Sequence, residues 1–297
     1  MSALRIIASR HSAFYSPLIA TLAAGFLDEE GLAATYRQLA PGERAQELIA
    51  AGEAHIVQSA VSMGWLALER GERDIPVHFA QINCRDGFFL VARERPARFE
   101  WKMLEGATVL ADHASQPLAM LRYALHRQGV VWERVRALDR GEPDRMVGAF
   151  LDGEGDYVHL QGPAAQQLEH QGAGFVVAAV GEAMPPLAFS SLMASREFLA
   201  TAEAAAFLRA YARARRWVRS SPAREVAACE ASFFAGIAPE ALEAAIARYQ
   251  SLGCWEGGVG VAREHYEQAL EVFLHTGSIT RRWEYEAVVV ALPEPAA

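Results

Sequence analysis

Six short polar loops hold the residues of this 297-residue chain that could bind or transform a small molecule, and most of them follow an apolar run. In His11-Ser12-Ala13-Phe14-Tyr15, Ser12 can donate to an anionic or carbonyl oxygen, Tyr15 can stack on a flat ligand, and His11 can line the same wall. In Gln58-Ser59-Ala60-Val61-Ser62-Met63, Ser59 and Ser62 repeat that hydroxyl chemistry. Asn83-Cys84-Arg85-Asp86-Gly87 offers Arg85, whose planar guanidinium can clamp a carboxylate or sulfonate through two parallel bonds. Ser115 and Gln116 follow Asp112 and precede Pro117, which suits the first turn of a helix. His159 and Gln161 end another apolar run, and the Gln161 amide can both donate and accept. Glu182, just before Met184-Pro185, can bind a ligand amine.

Each of these residues also has a plainer structural role. A serine at the start of a helix is an ordinary N-cap, and Phe14 and Tyr15 are equally suited to core packing. Arg85 can pair with Asp86, and Glu182 can bond a loop amide. His113, His159 and Asp112 would make an acid/base or metal set only if the fold gathered them, and no tight spacing joins them. The chain carries no GxSxG, HExxH, GxGxxG or P-loop pattern. No catalytic residue, metal or cofactor is therefore expected.

Composition narrows the field further. The formal charge of −8 argues against nucleic-acid binding. No apolar run approaches the roughly 20 residues of a membrane span. Cys84, Cys229 and Cys254 are widely spaced and read as reduced thiols. Of 28 basic residues only Lys102 is a lysine, so Schiff-base or P-loop lysine chemistry has a single candidate, in a surface turn. No secretory leader is evident. The sequence as it stands reads as cytoplasmic, and as periplasmic if a leader precedes it.

The elements that must position these loops alternate between strand and helix patterns, which predicts mainly parallel sheets with crossover helices. Strands are expected at 4–8, 34–39, 55–58, 77–81 and 87–92, with helices at 17–30, 43–51 and 62–70. The breaker Arg93-Glu94-Arg95-Pro96-Ala97-Arg98 marks a first crossing. A second unit follows, with strands at 106–111, 135–138, 157–160 and 174–179 and helices at 116–128, 145–151 and 163–171. Pro185-Pro186 and the run 187–194 mark the return crossing. Helices at 201–220, 223–234, 239–250 and 262–275 then lead to a weak strand at 287–292. The expected organisation is one discontinuous lobe, 1–93 with 190–297, and a second lobe, 94–189, with a ligand cleft between them that closes by hinge motion.

The order of these pieces resembles a known group. Ser16-Pro17-Leu18 through Gly25-Phe26 and Glu29-Glu30-Gly31-Leu32 is similar to the opening of the nitrate/sulfonate/taurine and thiamin-pyrimidine substrate-binding proteins. Gly52-Glu53-Ala54-His55-Ile56-Val57-Gln58 resembles that group's Gly-x-hydrophobic-Asp strand, with His55 where an acid is expected. Gly129-Val130, Pro163, Ser195-Arg196-Glu197-Phe198-Leu199, the Ala/Arg-rich helix ending near Trp217, Ile246-Ala247-Arg248-Tyr249 and Trp255 continue the match. The resemblance implies an α/β, two-lobed, periplasmic-binding-protein-like (type II) clamp with C-terminal helices. It further implies a binder of a small polar or heteroaromatic ligand serving an ABC permease. The alternatives on the same fold are a cytosolic enzyme, such as a cofactor-pathway lyase or a pyrimidine-synthase-like protein, and a ligand sensor. The group's pyridoxal-phosphate-using, self-consuming pyrimidine synthases carry a cysteine cluster and an early lysine that this chain lacks, so that activity is not expected.

Overall fold

Leu-Arg-Ile-Ile-Ala at 4–8 is buried at all but one position, as a strand covered on both faces must be. In the computed structural model, which describes residues 3–292, it forms β1 (Leu4–Ala8), an inner strand of a five-stranded sheet. β2 (Ala34–Gln38) and β3 (Ile56–Ser59) flank it in parallel. The sheet is completed by β4 (Val77–Asn83) and a late strand. The second sheet comprises β5 (Phe88–Ala92), β6 (Thr108–Leu110), β7 (Arg136–Leu138), β8 (Tyr157–Gln161) and β9 (Phe175–Ala179), in the order β7-β6-β8-β5-β9. β10 (Ser190–Ala194) then returns to the first sheet between β3 and β4, giving β2-β1-β3-β10-β4.

Two expectations change here. The sheets are mixed rather than mainly parallel, because the strands carrying the chain between sheets, β5 and β10, are antiparallel to both of their neighbours. Phe88–Ala92, expected in the first lobe, pairs with β8 and β9 in the second sheet. The first crossing thus lies at 84–87, not at the breaker after residue 92. Asp86 anchors that crossing by accepting the Phe88 amide (2.7 Å) while fully buried. Gly181 backs against it so closely that a Cβ there would sit 2.3 Å from the Asp86 carbonyl oxygen.

The helices are α1 (Ser16–Ala23), α2 (Phe26–Glu29), α3 (Ala45–Ala50), α4 (Val61–Glu69), α5 (Ser115–Arg127), α6 (Pro143–Leu151), α7 (Ala164–His170), α8 (Arg196–Leu199), α9 (Ala202–Ser220), α10 (Ala223–Glu230), α11 (Pro239–Leu252), α12 (Arg263–His275) and α13 (Tyr285–Val288). The expected helix at 17–30 breaks into α1 and α2 because Gly25 takes φ +79°, a left-handed conformation open to glycine. The expected strand at 287–292 is instead α13 followed by a single bridge, Val289 to His78.

The C-terminal helices bind the two sheets together. α11 packs on α7, and α12 packs on both α4 and α5. The buried Tyr249 of α11 donates to the Gly87 carbonyl (2.9 Å) and accepts from the Gly162 amide (2.7 Å). Its ring lies between Phe14 and Phe89, with centroids at 5.0 and 5.5 Å.

Candidate functional site

β1, β3, β6 and β8 all end toward one region, where four polar loops open into a cavity of about 630 Å³. The β1 loop contributes Ser9, Arg10 and Tyr15, and the β3 loop contributes Gln58, Ser59 and Ser62. Ser115 and Gln116 come from the first turn of α5, which follows β6, Gln161 from the end of β8, and Ser190 from the start of β10. Both sheets therefore supply its walls.

Two helices begin at this cavity. α4 follows Ala60 and α5 follows Ala114; both alanines line the wall, and neither helix start has a side-chain cap. First-turn amides have no acceptor within their own helix, and of the first-turn residues Ser62, Ser115 and Gln116 line the cavity. The positive end of each helix dipole favours an anion there.

A web of polar bonds joins the two walls. Ser62 Oγ donates to Gln116 Oε1 (2.6 Å), and Gln116 Nε2 donates to the Phe189 carbonyl (2.5 Å). Gln161 Nε2 donates to the Tyr15 hydroxyl (3.1 Å), whose pKa is raised chiefly by burial and partly restrained by Arg10. Gln58 accepts the Arg10 amide at its side-chain oxygen (3.1 Å). The Arg10 guanidinium grips Asp112 with both nitrogens, Nη1 to Oδ2 at 2.7 Å and Nη2 to Oδ1 at 3.0 Å. Asp112 follows β6, so this ion pair spans from one sheet's loops to the other's.

Of the residues singled out from sequence, Tyr15, Ser59, Ser62, Ser115, Gln116 and Gln161 are brought together at the cavity. The others lie elsewhere. His11 turns away: its Nε2 donates to the Phe233 carbonyl (2.7 Å), which leaves Nδ1 to accept from the Tyr36 hydroxyl (2.9 Å). Its ring stacks on Phe234, and burial lowers its pKa. Ser12 is a buried cap, accepting the Phe14 amide (3.1 Å) and donating to the Gly162 carbonyl (2.5 Å). Arg85 reaches the Gly181 carbonyl at the crossing rather than the cleft floor (3.4 Å). Glu182 pairs on the surface with Arg248 (2.7 Å). His159 is wholly buried, stacked on Phe88 at 4.3 Å, and held neutral with its pKa pushed down to about 3 by burial, then by Arg10 and His113.

The acid/base or metal set considered from sequence does not assemble. Asp112 is engaged by Arg10, His113 Nδ1 bonds the Ala111 carbonyl (2.8 Å), and neither nitrogen of His159 has a partner.

Sequence reasoning missed Ser9, Arg10, Gln58 and Ser190. Arg10 directly precedes the His11–Tyr15 loop and follows the apolar run 4–8 after a single serine, so its place at the strand's carboxyl edge is legible in the sequence. Ser190 could not be placed without recognising β10 as a strand.

Comparison with known proteins supplies the remaining context. The family model described as NMT1/THI5 like matches residues 13–225. YtlA of Bacillus subtilis (strain 168), provisionally named a binding protein, is 26% identical over 283 residues, covering 94% of this chain and 85% of YtlA. The alkanesulfonate-binding protein SsuA from Xanthomonas axonopodis pv. citri, bound to MOPS, superposes with a TM-score of 0.74 at 14% identity, over 98% of this chain and 99% of that one. The periplasmic aliphatic sulphonate binding protein SsuA from Escherichia coli does so with a TM-score of 0.74 at 16% identity, over 100% and 94%. The two-lobed α/β architecture is thus that of periplasmic binding proteins.

Proposed function

The chain belongs to the NMT1/THI5-like family, and from that premise we propose that it is the substrate-binding protein of an ABC-type importer. Its ligand is a small molecule carrying an anionic group, with a sulfonate, carboxylate or nitrate as the class tested first. The observation that carries this reading is the cavity of about 630 Å³, walled by hydroxyls and amides from both sheets. That volume lies within the range of small-molecule pockets. Two helices that begin at the cavity, one after a strand of each sheet, favour an anion over a cation, since each helix start has uncapped amide donors and a positive dipole end. Two of the relatives named above bind sulfonates, which agrees with that polarity.

In this reading Ser59 and Ser62 on one wall and Ser115, Gln116 and Gln161 on the other close on the ligand. The crossings at 84–87 and 184–189 act as the hinge, so the lobes are 3–83 with 190–292 and 88–183. The partner is an ABC permease, and the site of action is the outer face of the membrane that holds it. No described helix is long and apolar enough to cross a membrane itself.

The test is a thermal-shift screen with methanesulfonate, taurine, nitrate, benzoate and the uncharged pyrimidine thymine, followed by calorimetry on any hit. At least one anion should bind at micromolar concentration. Gln161→Ala should weaken it about 10-fold or more, the consequence of losing a hydrogen bond to a charged group. Binding of thymine alone, or of nothing below millimolar concentration, would defeat the anionic assignment.

A further inference from the structure

The arginines lining the cavity are all already paired. Arg44 and Arg70, at the mouth, meet Glu47 and Glu72 at 2.9 Å, with guanidiniums about half exposed to solvent. Such rim pairs are weak and easily exchanged. Arg10 differs. Its partner Asp112 is only 5% exposed, the grip is bidentate, and Asp112 Oδ1 also accepts the Ala114 amide at 2.9 Å. Tyr15 and His159, both buried beside Arg10, carry no charge that could take the place of Asp112.

We propose that Asp112 is a built-in competitor for the ligand's anionic group. It holds the Nη1/Nη2 edge of Arg10, the least exposed of the arginines lining the cavity, so an anion takes that edge only by displacing the Asp112 carboxylate. Asp112 is thereby a specificity-determining residue that sets how strongly the cleft discriminates by charge. This inference rests on the anionic-ligand reading above. It follows from geometry and charge together, because the Asp112 carboxylate fills the Nη1/Nη2 edge and neutralises the guanidinium, so a ligand anion meets Arg10 at that edge and at full charge only once Asp112 is displaced. It also gives the ligand a structural consequence: the ion pair ties the loop after β1 to the loop after β6, so its exchange loosens one link between the two sheets.

Calorimetry at low ionic strength tests this on wild type, Asp112→Asn, Arg10→Gln and the double variant, with methanesulfonate, nitrate, benzoate and thymine as probes. Asparagine keeps the acceptor for the Ala114 amide, so the helix start survives the change. Asp112→Asn should bind the anions at least about 10-fold tighter than wild type, equivalent to about 1.4 kcal/mol. Thymine should shift less than about 2-fold, and the double variant should lose the anion gain. Arg10→Gln alone leaves the carboxylate unpaired and should weaken the anions about 10-fold or more, which gives an independent readout if Asp112→Asn folds poorly. Anion affinity in Asp112→Asn equal to or below that of a binding-competent wild type overturns the competitor role while leaving the anionic-ligand reading standing. If neither protein binds any anion, both fall together.

Discussion

Replacing Asp86 with asparagine should stabilise this protein, and more so as the pH rises. Asp86 is fully buried at the first crossing, and burial pushes its pKa up to about 8 against the hydrogen bond from the Phe88 amide. Its Oδ2 has no protein partner. An unfolded aspartate ionises near pH 3.8, so folding at neutral pH requires this group to take up a proton. The sign follows from the raised folded pKa. The stabilisation is complete below about pH 4, falls as pH climbs, and is gone above about pH 8. Each pH unit in that window costs about 1.4 kcal/mol, or about 4 kcal/mol at pH 7. Local relaxation and water access recover part of this, so a gain of about 2–4 kcal/mol at pH 7 is expected. Asparagine presents the same Oδ1 acceptor to Phe88 and, like the protonated acid, a donor at the second position. Urea unfolding at pH 5, 6, 7, 8 and 9, followed by tryptophan fluorescence, measures the difference between the two proteins. It should widen from pH 5 to 8 and then level off. A difference that stays flat across this range would refute the argument, since it would mean that Asp86 is ionised in the folded protein.

Three further perturbations probe the packing around the cleft. His159→Leu removes a buried neutral imidazole whose depressed pKa makes wild-type stability fall as pH drops below about 6.5; at pH 5 the variant should gain about 2 kcal/mol relative to its behaviour at pH 7.5, read from paired urea midpoints. Gly181→Ala should destabilise by roughly 3 kcal/mol, because the new Cβ meets the Asp86 carbonyl and backbone cannot swing aside as a side chain would; thermal unfolding by calorimetry measures it. Tyr249→Phe strands the Gly162 amide and the Gly87 carbonyl inside the protein, and should cost about 2–4 kcal/mol in the same urea assay.

What the sequence made legible follows from how local each signal was. β1 lies where its apolar run predicts, and the loops after β3, β6 and β8 are cavity walls because each follows a strand with polar residues. The sequence marks the β10 segment only as part of a crossing, because Ser190 and Ser191 break its apolar pattern. Both are buried among polar partners, Ser191 Oγ against His78 Nδ1 (2.8 Å), which periodicity does not reveal. His11 was drawn out of the site by the Phe233 carbonyl, 222 positions along the chain, and no local rule anticipates that contact. By residue type and loop position the sequence points to Arg85 as the clamp at the cleft, whereas the structure puts Arg10 there. The choice between them depended on which sheet β5 joins, and that is a long-range fact.

The most direct test of the cleft as the binding site is calorimetric titration of wild type and Ser115→Trp with the anion that gives the largest thermal shift. Ser115 is exposed on the cavity wall at the start of α5, so a bulky side chain there fills the ligand space without entering the core. The account predicts micromolar binding to wild type and its loss in Ser115→Trp, with the urea midpoint unchanged. Undiminished binding to a stably folded Ser115→Trp would contradict it and place the ligand elsewhere on the molecule.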